Sequence, residues 1–428
     1  MTPYIAKPLY HNQIIMASPK PTPQTQSLHQ QYFFILGRET ALSTAEIAAC
    51  LGDQINPAIE PSQHGPALIV TGDLTIKPDR LMRRLGGTVK LGRIILTTTI
   101  KELKTTLAKA IFESDLLVLA DKVTFGISIY GDNSALDTRA IIRLGMELKK
   151  ELRSAGYAGR FVNQNEPALS SVSVTKNKLL EEGGEIVLIV HGQDILIGRT
   201  EAVQDFELYS HRDYGRPGRD MLQGMLPPKL AQMMVNLTQS PNNLTLLDPF
   251  CGSGTVLQEA YLLGFHHLIG SDSNSKAIRA TQKNITWLQE QVPNKSANIR
   301  IENLDATKLS ERITPNSIGV IVTEPYLGPI RPPRNHAAVE KIKSELAVLY
   351  AQALEQFKKI LAPGGRVAMI VPCWFSGQTV IKMSLDTVRR DLGFELLPFP
   401  NWASQNPFLY HRPGQLVGRE IYILQLKK

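Results

Sequence analysis

The hydrophobic pattern changes period several times along the chain. "YFFILG" (Tyr32–Gly37) is an unbroken apolar run of strand length. "STAEIAACLG" then places apolar residues at helical spacing, with Ser43 and Glu46 in the relation of a capping box and Gly52 as a stop. Strand-like "ALIVTG", helical "DRLMRRLGG" and strand-like "GRIILTTTI" follow, which predicts a small α+β unit over 31–115. A second unit is expected over 116–203. It opens with "VTFGISIYG", whose alternation suits a half-buried strand, and ends with "EIVLIVHGQDILIGRTEA", a hairpin turning at Gly192-Gln193-Asp194. Between them, "DTRAIIRLGMELKKELRSAG" sets Ile141, Leu144, Leu148 and Leu152 on one side of a helix, with Arg143, Lys149, Lys150 and Arg153 among the rest.

Residues 204–228, "DFELYSHRDYGRPGRDMLQGMLPPK" and its neighbours, mix charge, aromatics, Gly and Pro without a period and read as a long linker. Arg212, Arg216 and Arg219 stand beside Tyr209 and Tyr214, a composition suited either to phosphate contact and stacking or to pairing with nearby acids. From 229 to 428 strands and helices alternate: "LTLLDPFCGSGTVLQEAYLLG", "HHLIGSDSNSKAIRATQKNI", "NIRIENLDATKL", "SIGVIVTEPYLGP" and "GGRVAMIVPCW". That alternation predicts a mostly parallel, Rossmann-like sheet with helices on both faces, with "FELLPFP" and "REIYILQL" as antiparallel partners at the end. The fold class is therefore α/β, preceded by α+β units.

Composition narrows the setting. No apolar run reaches the ~18 residues of a membrane span. The stretch 1–30, rich in Pro, Gln and Ser, has no apolar signal segment and is expected to be disordered. Cys50, Cys251 and Cys373 stand far apart without a CxxC, and the nine histidines show no HExxH, so neither a disulfide framework nor a metal site is indicated. A cytoplasmic location follows from this reading. The net charge of +8 invites a polyanionic partner.

The chemistry gathers at strand ends, where ligands of open parallel sheets bind. Asp248 follows the first strand of the alternating region, Asp272 the second, Asp305 the third and Glu324 the fourth. "CGSGTV" supplies Gly252 and Gly254 for a tight turn. A dinucleotide is disfavoured because the third glycine is absent and Asp248 would repel a diphosphate; a P-loop is excluded because no Lys follows the glycines. Asp272 can accept from ribose hydroxyls, Asp305 from an adenine amino group, and Asp248 favours a nearby positive charge. S-adenosylmethionine has all three features. The candidate cofactor set is Asp248, Pro249, Gly252, Gly254, Thr255, Asp272, Ser273, Asp305 and Ala306.

"DPFCGSGT" and the carboxylate-Pro-aromatic loop after the fourth strand resemble the class I amino-methyltransferases that modify exocyclic amines of bases. Over residues 31–428, from "YFFILGRETALSTAEIAACLG" through "YGRPGRDMLQGMLPPKLAQ" to "LYHRPGQLVGREIYIL", the chain resembles the THUMP-domain tRNA guanine-N2 methyltransferases. The resemblance implies a ferredoxin-like domain over 31–115, a THUMP domain over 116–203 that grips tRNA, and a methyltransferase domain over 229–428. It also implies a guanosine at tRNA position ten as target. The usual loop of that family is Asp (or Asn)-Pro-Pro-Tyr, whereas this chain has Glu324-Pro325-Tyr326-Leu327, one methylene longer and with the aromatic one position early.

Guanine N2 is a poor nucleophile because its lone pair is delocalised into the ring. Glu324 and the Pro325 carbonyl, each accepting one N2–H, would orient the amine, and Tyr326 would stack on the extruded base. Glu324 reads otherwise as a helix-capping or salt-bridged acid, and Tyr326 as a core ring. Arg331 and Arg334 would reach phosphates flanking the target. Cys251 reads as a small residue in a tight turn, and Cys373 and Trp374 as core. Other outcomes left open are N2 methylation of ribosomal RNA or of another tRNA position, DNA amino-methylation, and a catalytically silent tRNA-binding protein. A monomer is expected, and the need for an activating subunit is undetermined.

Overall fold

A computed structural model describes residues 30–131, 136–162, 166–219, 225–294, 296–329, 331–333, 335–376 and 379–427. The expected disordered stretch before residue 30 and the candidate Arg334 lie outside these residues. The first unit runs β1 (Gln30–Leu36), α1 (Thr40–Leu51), β2 (Ser62–His64), β3 (Ala67–Gly72), α2 (Pro78–Arg84) and β4 (Thr88–Thr99). Its strands are antiparallel in the order β2-β3-β1-β4, the ferredoxin-like arrangement of a βαββαβ unit.

The second unit runs α3 (Leu103–Glu113), β5 (Lys122–Gly131), α4 (Thr138–Ser154), β6 (Ala158–Val162), α5 (Ser171–Lys176), β7 (Gly183–His191) and β8 (Asp194–Val203). The expected division near residue 115 falls in the connection between α3 and β5, yet β8 pairs along β4 and joins everything into one eight-stranded sheet, β2-β3-β1-β4-β8-β7-β5-β6. The join is possible because β4 bonds β1 on one edge and β8 on the other. As its periodicity predicts, α4 buries Ile141, Leu144, Leu148 and Leu152. Inside the sheet Lys90 of β4 pairs with Glu185 of β7, both fully buried.

The capping box is a correction. The helix begins a turn earlier, at Thr40, because Leu42 and Ala45 are themselves buried against the next domain. Ser43 Oγ donates instead to the carbonyls of Glu39 and Gly87, both at 2.9 Å. Glu46 accepts from the Gly86 and Gly87 amides at 2.9 and 2.8 Å and from Asn236 Nδ2 at 2.8 Å. Burial outweighs these donors and pushes the Glu46 pKa up to about 7.

The linker reading is corrected too: it contains α6 (Phe206–Tyr214), capped by Asp205, whose carboxylate accepts from the Leu208 amide at 3.0 Å. Only Tyr209 of α6 is buried, so no apolar period could reveal this helix. Next comes α7 (Pro228–Leu237), which packs on α1 on one side and on the last domain on the other.

The last domain runs β9 (Thr245–Asp248), α8 (Thr255–Leu262), β10 (His267–Asp272), α9 (Ser275–Gln291), β11 (Asn298–Asn303), β12 (Ile318–Thr323), α10 (His336–Ile360), β13 (Leu361–Ser376), β14 (Thr379–Lys382), α11 (Asp386–Asp391), β15 (Phe394–Leu396), β16 (Phe408–Tyr410) and β17 (Val417–Leu426). The order β11-β10-β9-β12-β13-β17-β15 is parallel through β13, with β17 antiparallel between β13 and β15, as the sequence predicts. Two apolar clusters cover the two faces of this Rossmann-like sheet. No described helix is long and apolar enough to cross a membrane.

Candidate active site

The sheet order reverses around β9, which has β10 on one side and β12 on the other. This is the switch point at which such sheets bind ligands. A cleft of about 910 Å³ opens there, lined by Asp248, Asp272, Asp305 and Glu324 with the loops that follow β9 and β12. The four strand-end carboxylates therefore converge, as the alternation predicts.

The turn after β9 is held from both sides. Gly252 (φ 53°) lines the cleft, and its amide donates to Asp272 Oδ2 at 3.0 Å. Gly254 (φ 81°) does not line it: a Cβ there would meet Thr281 at 2.8 Å, so this glycine serves the close approach of α9. Pro249, Thr255, Ser273 and Ala306 all lie in the cleft wall, and Cys251 is a buried small residue in the turn.

Each carboxylate keeps some accepting capacity. Asp272 Oδ1 takes the Asn274 amide at 2.8 Å and Oδ2 that of Gly252. Asp305 caps the turn after β11 through Oδ1 alone, which receives the Thr307 amide and hydroxyl, both at 2.8 Å. Asp248 is 2% exposed and accepts from Thr323 Oγ1 at 2.8 Å and the Phe250 amide at 3.2 Å. Burial pushes its pKa up to about 7, and the charges of Asp272 and Glu324 add to the rise.

Glu324 has a cationic partner that its sequence neighbours do not show. Arg419 Nε, on β17, donates to Glu324 Oε1 at 2.6 Å, fixing one carboxylate oxygen. The two are 95 residues apart, and only the antiparallel seating of β17 beside β13 brings them together. The loop after Glu324 is anchored by the buried Tyr350, whose hydroxyl donates to the Tyr326 carbonyl at 2.9 Å. The Tyr326 ring stays 61% exposed at the cleft mouth, so it is not a core ring. Arg331 also lines the mouth, and Trp374 is core.

Two of the arginines expected to meet RNA do not face solvent. Arg212 is mostly buried, ion-paired to the buried Glu259 of α8 at 2.7 Å and lying over the Tyr209 ring, which is the pairing with an acid that the sequence reading left open. Arg216 is 2% exposed and donates to Thr255 Oγ1 at 2.6 Å. Arg219 is exposed, stacked over Tyr214.

Residues 216–390 match the profile of the RMKL-like methyltransferase domain family, and residues 148–283 that of a DNA methylase family. The tRNA (guanine(10)-N2)-dimethyltransferase of Methanothermobacter thermautotrophicus is 29% identical over 194 residues, 45% of this chain and 52% of that protein. The protein of the same name from Pyrococcus abyssi is 27% identical over 202 residues, 47% of this chain and 50% of that one. The chain thus spans about half the length of the curated relatives it matches. The crystal structure of TrmN from Thermus thermophilus is similar across 93% of this chain and 100% of that one, with a TM-score of 0.53 and 18% identity, which establishes a shared fold.

Proposed function

We infer that this chain is an S-adenosylmethionine-dependent methyltransferase that acts on the exocyclic N2 of a guanosine in tRNA, at position ten, the chemistry that its relatives' names describe. The observation that carries the reading is the meeting, in one cleft, of three strand-end carboxylates with the Glu324-Pro325-Tyr326 loop. The residues fit the cofactor: Asp272 has lone pairs left for a ribose diol, Asp305 Oδ2 for an adenine amino group, and Gly252 lets the backbone approach. S-adenosylmethionine would supply a methyl group made electrophilic by its sulfonium.

The remaining work falls to the chain. Arg419 holds Glu324 Oε1, so the carboxylate presents its other oxygen to one N2–H. The Pro325 carbonyl accepts the second, and proline adds no competing N–H. Both acceptors bind the amine more tightly as positive charge grows on nitrogen, which is differential stabilisation of the transition state. The exposed Tyr326 ring offers a stacking face to a base turned out of its helix, with Arg331 and Arg219 available to flanking phosphates. The N-terminal sheet, with its ferredoxin-like and THUMP-like halves, grips the tRNA, and the enzyme works as a monomer in the cytoplasm.

The test is to incubate the purified chain with labelled S-adenosylmethionine and total tRNA and to identify the product nucleoside by mass spectrometry. N2-methylguanosine or its dimethyl form at position ten is expected. Label entering only ribosomal RNA, or only DNA as the match over residues 148–283 would favour, would move the substrate. Absence of cofactor binding would overturn the reading altogether.

A further inference from the structure

A second cavity shares no lining residue with the active cleft. It measures about 500 Å³ and lies where the N-terminal sheet, the linker and the last domain meet. Its walls include Arg38 and Glu39 between β1 and α1, Tyr214 at the end of α6, Lys229 in α7, and Tyr410 and Arg412 at the end of β16. Junctions between domains are common places for ligand pockets of this size.

Positive charge is in excess in these walls. Lys229 Nζ donates to Gln204 Oε1 and stands 5.1 Å from the centre of the Tyr209 ring, and no described carboxylate is its partner. Partial burial and the charge of Arg212 pull its pKa below the ordinary value. Arg38 and Arg412 are exposed, and Glu39 stands near both; burial raises its pKa, while the His411 amide and the charges of Arg38, His411 and Arg412 oppose the rise. The other acid in the walls, Asp213, has the buried Arg216 for a neighbour.

The cations stand beside rings. Tyr214 is 66% exposed, with the Arg219 guanidinium 5.2 Å from its ring centre. Arg412 Nε donates to Tyr410 Oη at 2.9 Å. Phosphate donors next to an open aromatic face suit a nucleotide, charge on one side and base on the other. The cavity also adjoins the cleft. The amide of Gln415, in the cleft wall, donates to the carbonyl of Arg412 at 3.1 Å, so one tight turn separates the two hollows. A ligand that fills both repeats phosphate and base along its length.

We propose that this interdomain cavity is a second nucleotide site for the RNA substrate, in which Arg38, Lys229 and Arg412 take a backbone phosphate and Tyr214 stacks on the base of a nucleotide near the target. This rests on the tRNA reading above. The site is indifferent to base identity, since every base has a stacking face. Because its walls come from both ends of the chain, RNA seated there holds the N-terminal sheet against the last domain.

Anisotropy titrations of the full chain with an unmodified tRNA transcript, over a range of salt concentrations, test it. Arg38→Gln combined with Arg412→Gln should weaken binding about 10-fold and flatten the slope of log K against log salt by about one to two. Lys229→Met should flatten it by about one, whereas Tyr214→Ala should weaken binding about 10-fold with the slope unmoved. S-adenosylhomocysteine affinity within about 2-fold of wild type reports that each variant is folded. An unchanged slope in the folded double variant overturns the site while leaving the tRNA reading standing. Tight binding of free GMP that Lys229→Met abolishes, with the tRNA slope unmoved, gives the cavity to a free nucleotide and overturns its RNA role. Wild-type protein that binds no tRNA overturns both.

Discussion

Two of the places where the molecule buries charged side chains do so in opposite ways. In the N-terminal sheet Lys90 and Glu185 are 1% and 0% exposed. Lys90 Nζ donates to Glu185 and to the Leu169 carbonyl at 2.6 Å, and Glu185 also accepts from Ser128 Oγ at 2.5 Å and Thr200 Oγ1 at 2.6 Å. That constellation is closed: its charges cancel and its donors and acceptors face one another. In the last domain Asp248 is nearly as deeply buried but meets a hydroxyl and an amide instead of a counter-charge, and Arg216 of the preceding connector meets a hydroxyl and a thioether, while the half-buried Glu324–Arg419 pair lines the cleft. Full burial with a matched partner marks a group that fixes strands in place. Asp248, buried without one in the wall of the cleft, is the acid for which a cationic ligand would be the counter-charge.

The sharpest break of this contrast is Lys90→Met. Removing one member of a closed buried pair should cost about 3–5 kcal/mol of stability, because Glu185 is left uncompensated. Urea denaturation should show most of that loss regained when Glu185→Leu is added, with cofactor affinity unmoved in folded protein. A cost below about 1 kcal/mol would mean that the pair is not closed.

Next in size is Glu324→Gln, which in the proposed role at the base amine should lower turnover on tRNA by about 10²-fold with little change in cofactor affinity. Arg419→Ala should act in the same direction by a smaller factor, because the carboxylate loses only its orientation. Near-normal turnover of Glu324→Gln in a labelled-methyl assay would place another group at the amine. Asp272→Ala should weaken cofactor by roughly 1.5–3 kcal/mol in calorimetry; unchanged affinity in a folded variant would remove Asp272 from the ribose.

The smallest effect is on pH. Asp248 has its folded pKa raised from 3.8 to about 7, so it contributes stability in its protonated form that is lost as pH rises through that window. A sulfonium beside it favours the ionised form. Affinity for S-adenosylmethionine should therefore climb a few-fold between about pH 6 and 8, while that for the uncharged thioether of S-adenosylhomocysteine stays flatter. Asp248→Asn should erase the difference between the two titrations, and parallel titrations in the wild type would assign the proton elsewhere.

What could be read from the sequence followed from locality. The turn "DPFCGSGT" lies between adjacent elements, so its glycines and acids locate themselves, and the face of α4 follows from a period of 3.6. The Glu324 loop was legible because it ends an apolar strand, but Arg419, from the last strand, was not. For Arg212 and Arg216 the sequence left phosphate contact and pairing with an acid both open, because their partners Glu259 and Thr255 belong to a helix farther along the chain; Arg212 takes the acid and Arg216 a hydroxyl. Glu46 was misread for the same reason, as a local cap where it is a tie between domains.

The unbroken sheet of the N-terminal half sets a fixed span. Its first unit is pinned to the last domain through α1 and α7, and from β1 to the far edge at β6 there are five strand spacings, about 24 Å. Hydrogen-bonded strands do not stretch. An RNA held at that far edge would have its reacting nucleotide picked by distance, so that a helix lengthened by a base pair would bring a different guanosine to the cleft whatever its neighbouring letters.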